Sequence, residues 1–448
     1  MHEEDLGNKN IFSLVIAMSL PIVLSMAMQA IYNVADSLFI SHYSEIAFAG
    51  VSIIQPLLLF ALALANGIAA GVGSYLSNTL GAKAYTRSKS VVKTGWTFAL
   101  VLGVITSICL YLFASPFVHM FSHDDIASPA AISYLKVISP SILFVFISSC
   151  IGFILQAHGL AKKNMYVQVS GALVNIILDP VFIFTLNMGA VGAALASAIG
   201  YLVSCVLALI FYFNSSCTHS SPGFDKESAK RILSIALPST LGQGAGPIVG
   251  VILNRLVVSY GIEAMAVFGM YLKAESFMFL ASQGIASALI VIVGYNYGKG
   301  DIERVKKSFK VSLVMAWTMM IIGFVLFQVL ARWIVSLFTS DQSLIAMGVP
   351  AFRSLCFCFL LTAPNIITTG LLQGLGRGGT SMFITYSRFF IFLIPIAFIL
   401  NSLFGLSGLW FCYFSADIPT LVLLYFVHRR LNKKVLVQQN ATNSCLAE

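Results

Sequence analysis

Charge is what this chain of 448 residues has least of. Asp, Glu, Lys and Arg make up 10% of it against 58% hydrophobic residues, whereas a soluble domain carries about 25% charged residues. With a mean hydropathy of +0.91, a water-soluble fold is excluded, and the chain must be read with lipid as its solvent. Acids are the scarcer sign, 17 against 26 Lys and Arg, for a net charge of +9. Cysteine is sparse as well: no pair among the eight (109, 150, 205, 217, 356, 358, 412 and 445) has the spacing of a zinc site. Cys356 and Cys358, two apart, diverge on a helix and read as packing. The chain lacks a nucleotide-binding P-loop and a nucleophile motif in its structural context, so neither an enzyme nor direct ATP drive is expected. Its start, MHEEDLGNKN, is acidic where a cleaved signal peptide is basic, so the first apolar span is expected to be retained.

What is there in abundance is apolar runs long enough to cross a bilayer, about twelve of them. Their limits are expected near 11–40, 46–79, 92–116, 131–157, 164–186, 190–213, 233–260, 264–294, 311–337, 347–374, 381–401 and 407–428. The basic residues orient them. The even connections, the segment after the last span and Lys9 hold 20 of the 26 Lys and Arg. The odd connections hold none and carry Glu45, Asp124, Asp125, Glu263 and Asp341. By the positive-inside rule both termini are expected to be cytoplasmic in a multi-pass protein of the cytoplasmic membrane. The net charge is thus a topology signal and not a nucleic-acid footprint. Asn214-Ser-Ser and Asn440-Ala-Thr fall on the same cytoplasmic side and are set aside as glycosylation sites. Cys445-Leu-Ala-Glu ends outside the usual prenylation set.

The chain repeats itself at an offset near 217. Ser19-Leu20-Pro21 answers Ala236-Leu237-Pro238, Asn66-Gly67-Ile68-Ala69 answers Gln283-Gly284-Ile285-Ala286, and Arg87, Lys89 and Lys93 fall on Arg304, Lys306 and Lys310. Leu155-Gln156 and Gly159 fall on Leu372-Gln373 and Gly376. An even number of spans per half makes the halves parallel, with a substrate cavity expected between them. The expected division is a six-helix lobe at 1–213, a cytoplasmic linker at 214–232, a second six-helix lobe at 233–430 and a cytoplasmic tail at 431–448.

The polar residues that survive inside the spans are candidate function. Asp36 stands near the far end of the first span, and a bare acid at membrane depth costs roughly 2.5–3.5 kcal/mol, so it needs a partner or a cavity. Asn175 and Asp179, four apart, share a helix face in the fifth span at an expected depth like that of Asp36. Two carboxylates brought together in low dielectric share a proton or a cation. Ser197 in the sixth span adds a hydroxyl, and Tyr32, four residues before Asp36, is placed to donate to it. The second half does not copy this site. It carries Lys273, Glu275, Arg353, Arg388 and Asp417 as intramembrane charges. Arg388 or Arg353 is expected to pair with Asp417, or Asp417 contacts substrate; Lys273 and Glu275, two apart, need separate partners. Pro21 interrupts the hydrogen-bond ladder of the first span and marks a bend.

Twelve spans in two parallel halves, Leu20-Pro21 with Asp36 fifteen residues after the proline, Asn175-x-x-x-Asp179-Pro180, and Gly294-Tyr-Asn-Tyr-Gly-Lys-Gly followed by Arg304 together resemble the multidrug and toxic compound extrusion (MATE) family over nearly the whole chain. The resemblance implies an all-α membrane protein of V-shaped, two-lobe architecture. It implies an antiporter that exports amphipathic, often cationic compounds in exchange for H⁺ or Na⁺ by alternating access. Asp36, Asn175 and Asp179 match the family's N-terminal-half cation site, and the proline equivalent to Pro21 is linked there to bending of the first helix. No cofactor is expected beyond the coupling ion, no metal beyond Na⁺ at those three residues, and no partner beyond small-molecule substrate and membrane lipid, with the chain working as a monomer. The alternative reading is a flippase for a lipid-linked glycan or other lipid-like substrate, whose anionic carriers ask for a cavity rich in Lys and Arg. Lys273, Arg353 and Arg388 keep it open, and a passive channel is a third class.

Overall fold

The computed structural model describes residues 4–121, 126–215 and 223–447, without the side chains of Phe121 and of residues 432–447. The expectations for Asp124, Asp125, Cys217, part of the 214–232 linker, Asn440, Cys445 and the tail side chains therefore lie outside the described residues. Besides short helices at Asp5–Asn8 and Ala114–Phe121, the described residues form twelve long helices: α1 (Ile11–Tyr43), α2 (Glu45–Gly81), α3 (Tyr85–Leu112), α4 (Ser128–Ala157), α5 (Ala161–Thr185) and α6 (Gly189–Phe213) in the first half. In the second half come α7 (Lys226–Val258), α8 (Ile262–Gly298), α9 (Ile302–Ser336), α10 (Gln342–Gly374), α11 (Gly378–Leu409) and α12 (Cys412–Ala447). Among the described residues eleven, α1 to α11, are long and apolar enough to span a bilayer. The protein is an all-α, multi-pass membrane protein.

Several helices begin earlier than hydropathy alone places them. α3 starts at Tyr85, α7 at Lys226 and α9 at Ile302, instead of near 92, 233 and 311. Hydropathy marks the lipid-facing stretch, whereas Lys and Arg are good helix formers that extend the same helix into water. Residues 226–232 are accordingly helical, the first turns of α7. Asp225 caps that start, accepting from the Ser228 amide at 2.9 Å and its hydroxyl at 2.6 Å. These bonds hold the Asp225 carboxyl below its ordinary range. The cap's contribution is therefore intact above about pH 4, the unfolded value, and is lost as pH falls through the lower folded value.

The backbone repeats as the sequence does. The 3₁₀ breaks Ser139–Ser141 in α4 and Cys356–Cys358 in α10 are 217 residues apart. So are two left-handed pairs, Lys83 with Gly300 (φ 54 and 80) and Gly159 with Gly376 (φ 78 and 73). Toward the end of each half the offset slips to 216, where Gly189 and Gly405 have φ 55 and 59. Three residues on, Gly192 and Gly408 let backbone meet backbone: an added Cβ would lie 2.8 Å from the Phe182 carbonyl oxygen and 2.3 Å from that of Leu400. Gly192→Ala is expected to cost about 1–3 kcal/mol through overpacking, read as a lower midpoint of thermal unfolding in detergent.

The chain divides into two compact units, Met1–Asn8 with Leu20–Thr240, and Lys9–Ser19 with Leu241–Glu448. These differ from the 1–213 and 233–430 limits in where the bases of α1 and α7 belong. α1 passes from one unit to the other beside Pro21, and α7 does so just after Pro238. α1 stays helical through Pro21, and the hydroxyl of Ser25 donates to the Pro21 carbonyl at 2.9 Å. In the first unit Arg87 pairs with Glu227 at the base of α7. In the second, Arg304 donates to the Lys9 carbonyl at 2.9 Å and to Asn296 at 3.1 Å. Arg87 and Arg304 are themselves repeat partners.

Candidate cation site

Within the first unit, α1, α4, α5 and α6 bring together the polar side chains that the sequence scatters. The C-terminal end of α1 is tied to the α5–α6 turn: Tyr43 donates to Asn187 Oδ1 at 2.9 Å, and Phe39 and Tyr43 meet Phe184 edge-on. That contact brings Asp36, one to two turns back along α1, close enough to Asp179 for their charges to interact. α5 and α6 touch through small residues, since a Cβ on Gly171 would lie 2.7 Å from the Gly200 carbonyl oxygen and 2.0 Å from Ser204 Oγ. This approach places Asn175 Nδ2 3.1 Å from Ser197 Oγ and 3.5 Å from Asp179 Oδ1. Pro180 cannot donate to the carbonyl one turn earlier, and α5 continues as a π-helical turn over Val181–Thr185.

The site is buried and short of donors. Asp179 is 0% exposed and Asn175 3%. Three buried oxygens, Asp36 Oδ1, Asn175 Oδ1 and Asp179 Oδ2, have no hydrogen-bond partner among the described residues. Buried acceptors left bare are costly, and oxygens of this kind are what a hard cation or a proton takes. Below them lies a small cavity lined by Gln29, Tyr32, Gln168, Gly171, Asn175, Ser197 and Tyr201, among others. It holds about two water molecules, enough for an ion or water but not for a bulky organic compound.

Most of the expected set is therefore brought together: Asp36, Asn175, Asp179 and Ser197. Tyr32 also lines that cavity, its hydroxyl turned to Tyr201 and within electrostatic range of Asp36. Tyr134 on α4, which sequence reasoning missed, faces Ser197. A tyrosine in an apolar span is an ordinary core residue by sequence, and only packing reveals its partner.

The second-half charges sort differently. Arg388 pairs with Asp417, Nε to Oδ1 at 2.5 Å and Nη2 to Oδ2 at 3.1 Å. Thr362 donates to Asp417 at 2.7 Å and accepts from Arg388 at 3.2 Å. Arg353 is not part of this pair: it is exposed and exchanges bonds with the backbone and side chain of Gln328 across α9 and α10. Lys273 is exposed while Glu275, two residues on, is buried beside Cys358 and Tyr271. Among the described residues no group of three His, Cys, Asp or Glu could hold a metal ion.

Fold and site together define an internally repeated, all-α membrane transporter. The family model described as MatE matches residues 21–181 and again 238–399, segments that begin 217 residues apart. The chain belongs to that family, the MATE efflux transporters. It is 26% identical over 436 residues to the multidrug export protein MepA of Staphylococcus aureus strain bovine RF122 / ET3-1, covering 94% of this chain and 95% of that protein. MepA of Staphylococcus haemolyticus strain JCSC1435 is 27% identical over 439 residues, 96% of each chain. The solved outward-facing conformation of a multidrug resistance MATE family transporter of the MOP superfamily shares the fold with a TM-score of 0.92 at 24% identity, covering 96% of this chain and 98% of that one.

Proposed function

We propose that this protein is a secondary active antiporter of the plasma membrane that exports amphipathic, often cationic compounds in exchange for H⁺ or Na⁺. The observation that carries the coupling is the set of three bare buried oxygens on Asp36, Asn175 and Asp179. A cation or proton satisfies them and removes the repulsion between the acids. Ligation then favours one arrangement of the helices that bear them, and a substrate that prefers the other arrangement is driven by the ion gradient. Ser197, with Tyr134 behind it, positions Asn175; Pro21 marks where α1 can flex. In this reading 1–213 and 233–430 work as two six-helix lobes joined through 214–232 and followed by the 431–448 tail, with both termini cytoplasmic and a monomer as the working unit. The relatives' name, multidrug export protein, supports the substrate class.

Anionic lipid-linked cargo is the weaker reading. Arg388 is the one buried Lys or Arg among the described residues, and its charge is already compensated by Asp417. The test is uphill accumulation of a fluorescent cationic dye in vesicles reconstituted with the protein, under an imposed H⁺ or Na⁺ gradient. Accumulation under one gradient and not the other names the ion. Flux that only ever runs downhill sinks the antiport reading.

A further inference from the structure

The Arg388–Asp417 pair stands where the repeat has its cavity. Gly159 and Gly376 fix the offset at 217 just before α5 and α11, and Gly189 and Gly405, ahead of the main runs of α6 and α12, fix it at 216. On those offsets Arg388 corresponds to Gly171, Tyr413 to Ser197 and Asp417 to Tyr201. All three first-half residues line the small cavity under the cation site. In the second half the same three positions hold a guanidinium, a phenol and a carboxylate in mutual range, and α11 is π-helical from Ser387 to Leu393 around the arginine.

The charged and titratable groups around the pair are Glu275 from α8 with Tyr271 beside it, Cys358 from the α10 break, and Cys412 and Tyr413 from α12. Arg388 is 9% exposed and Asp417 1%. We propose that Arg388 is a resident cation: it fills the second half's counterpart of the first-half cavity and neutralises Asp417, so that exchangeable cation binding is confined to the first half. This rests on the first-half reading above. The reciprocal consequence is that removing the guanidinium opens a cation site of Asp417, the Thr362 hydroxyl and Glu275.

The test uses full-length protein purified in detergent, with Asp36→Asn and Asp179→Asn silencing the first half, and reads the unfolding temperature in NaCl against choline chloride and at about pH 8 against about pH 6. The silenced protein is expected to respond to neither. Adding Arg388→Gly, which restores the glycine found at 171, should create a rise of at least about 2 °C with Na⁺ or with acid, and adding Asp417→Leu should remove it. A folded Arg388→Gly protein with no ion response overturns the proposal. An ion response already present in the silenced protein overturns the first-half reading instead. If Arg388→Gly does not fold, the apolar pair Arg388→Met with Asp417→Leu carries the test in the otherwise unchanged chain. Its dye transport should keep the wild-type dependence on ion concentration, and loss of ion drive in that folded protein rejects the resident-cation role.

Discussion

Vesicles carrying Asp36→Asn are expected to lose ion-driven dye accumulation, by about 5–150-fold, the span of typical coupling free energies. The amide keeps the size and shape of the carboxyl but cannot change charge, so the site no longer distinguishes an occupied from an empty state. Asp36 Oδ1 has no hydrogen-bond partner among the described residues, so its replacement breaks no structural contact at that atom. Thermal stability in detergent should therefore be preserved or raised while coupling disappears. A protein that loses transport and stability together would point to a structural acid and sink the coupling role. Asp179→Asn is expected to behave alike for transport, with a larger structural effect because Asp179 is buried outright and receives the Asn175 amide.

The second large effect lies in the other half. Asp417→Ala strips a buried guanidinium of its bidentate partner and is expected to destabilise the protein by about 3–5 kcal/mol, the range for breaking one side of a buried pair. Arg388→Met with Asp417→Leu removes both charges and should recover most of that loss, because the desolvation penalty of two ions goes with their attraction. Thr362 keeps its own route, since its hydroxyl lies 2.9 Å from the Cys358 carbonyl and can donate there once Asp417 is gone. The comparison of single and double variants by thermal unfolding isolates the pair. Equal losses in Asp417→Ala and in the double variant would mean that packing volume, not charge, holds α11 to α12.

Much of this protein was legible before any coordinates. Lipid leaves only helices for a chain this apolar; hydropathy located each helix, and the offset near 217 was visible in Pro21 and Pro238, in Arg87 and Arg304, and in Gly159 and Gly376. The four-residue spacing of Asn175 and Asp179 put them on one face. Other features were not legible. Helix ends at Tyr85, Lys226 and Ile302 fall in polar stretches, where hydropathy is silent. The one-residue slip to offset 216 shows in the left-handed pair Gly189 and Gly405, a backbone feature that composition does not mark. Whether Asp417 takes Arg353 or Arg388 could not be decided from spacing, because both lie in neighbouring spans and the choice depends on helix rotation.

By itself, then, the sequence determined the class, the repeat and the identity of the acids, since each follows from a local quantity: the cost of burying charge, the period of a helix, the recurrence of a motif. Tertiary structure alone decided the partners. It turned Tyr32 toward Tyr201, set Tyr134 behind Ser197, left three oxygens bare, and placed Arg388 where the first half keeps its cavity. Those outcomes depend on how close two helices approach and how each is rotated about its axis. At α5 and α6 that approach is set by Gly171 meeting Gly200, a contact between residues 29 apart that no single stretch of chain encodes.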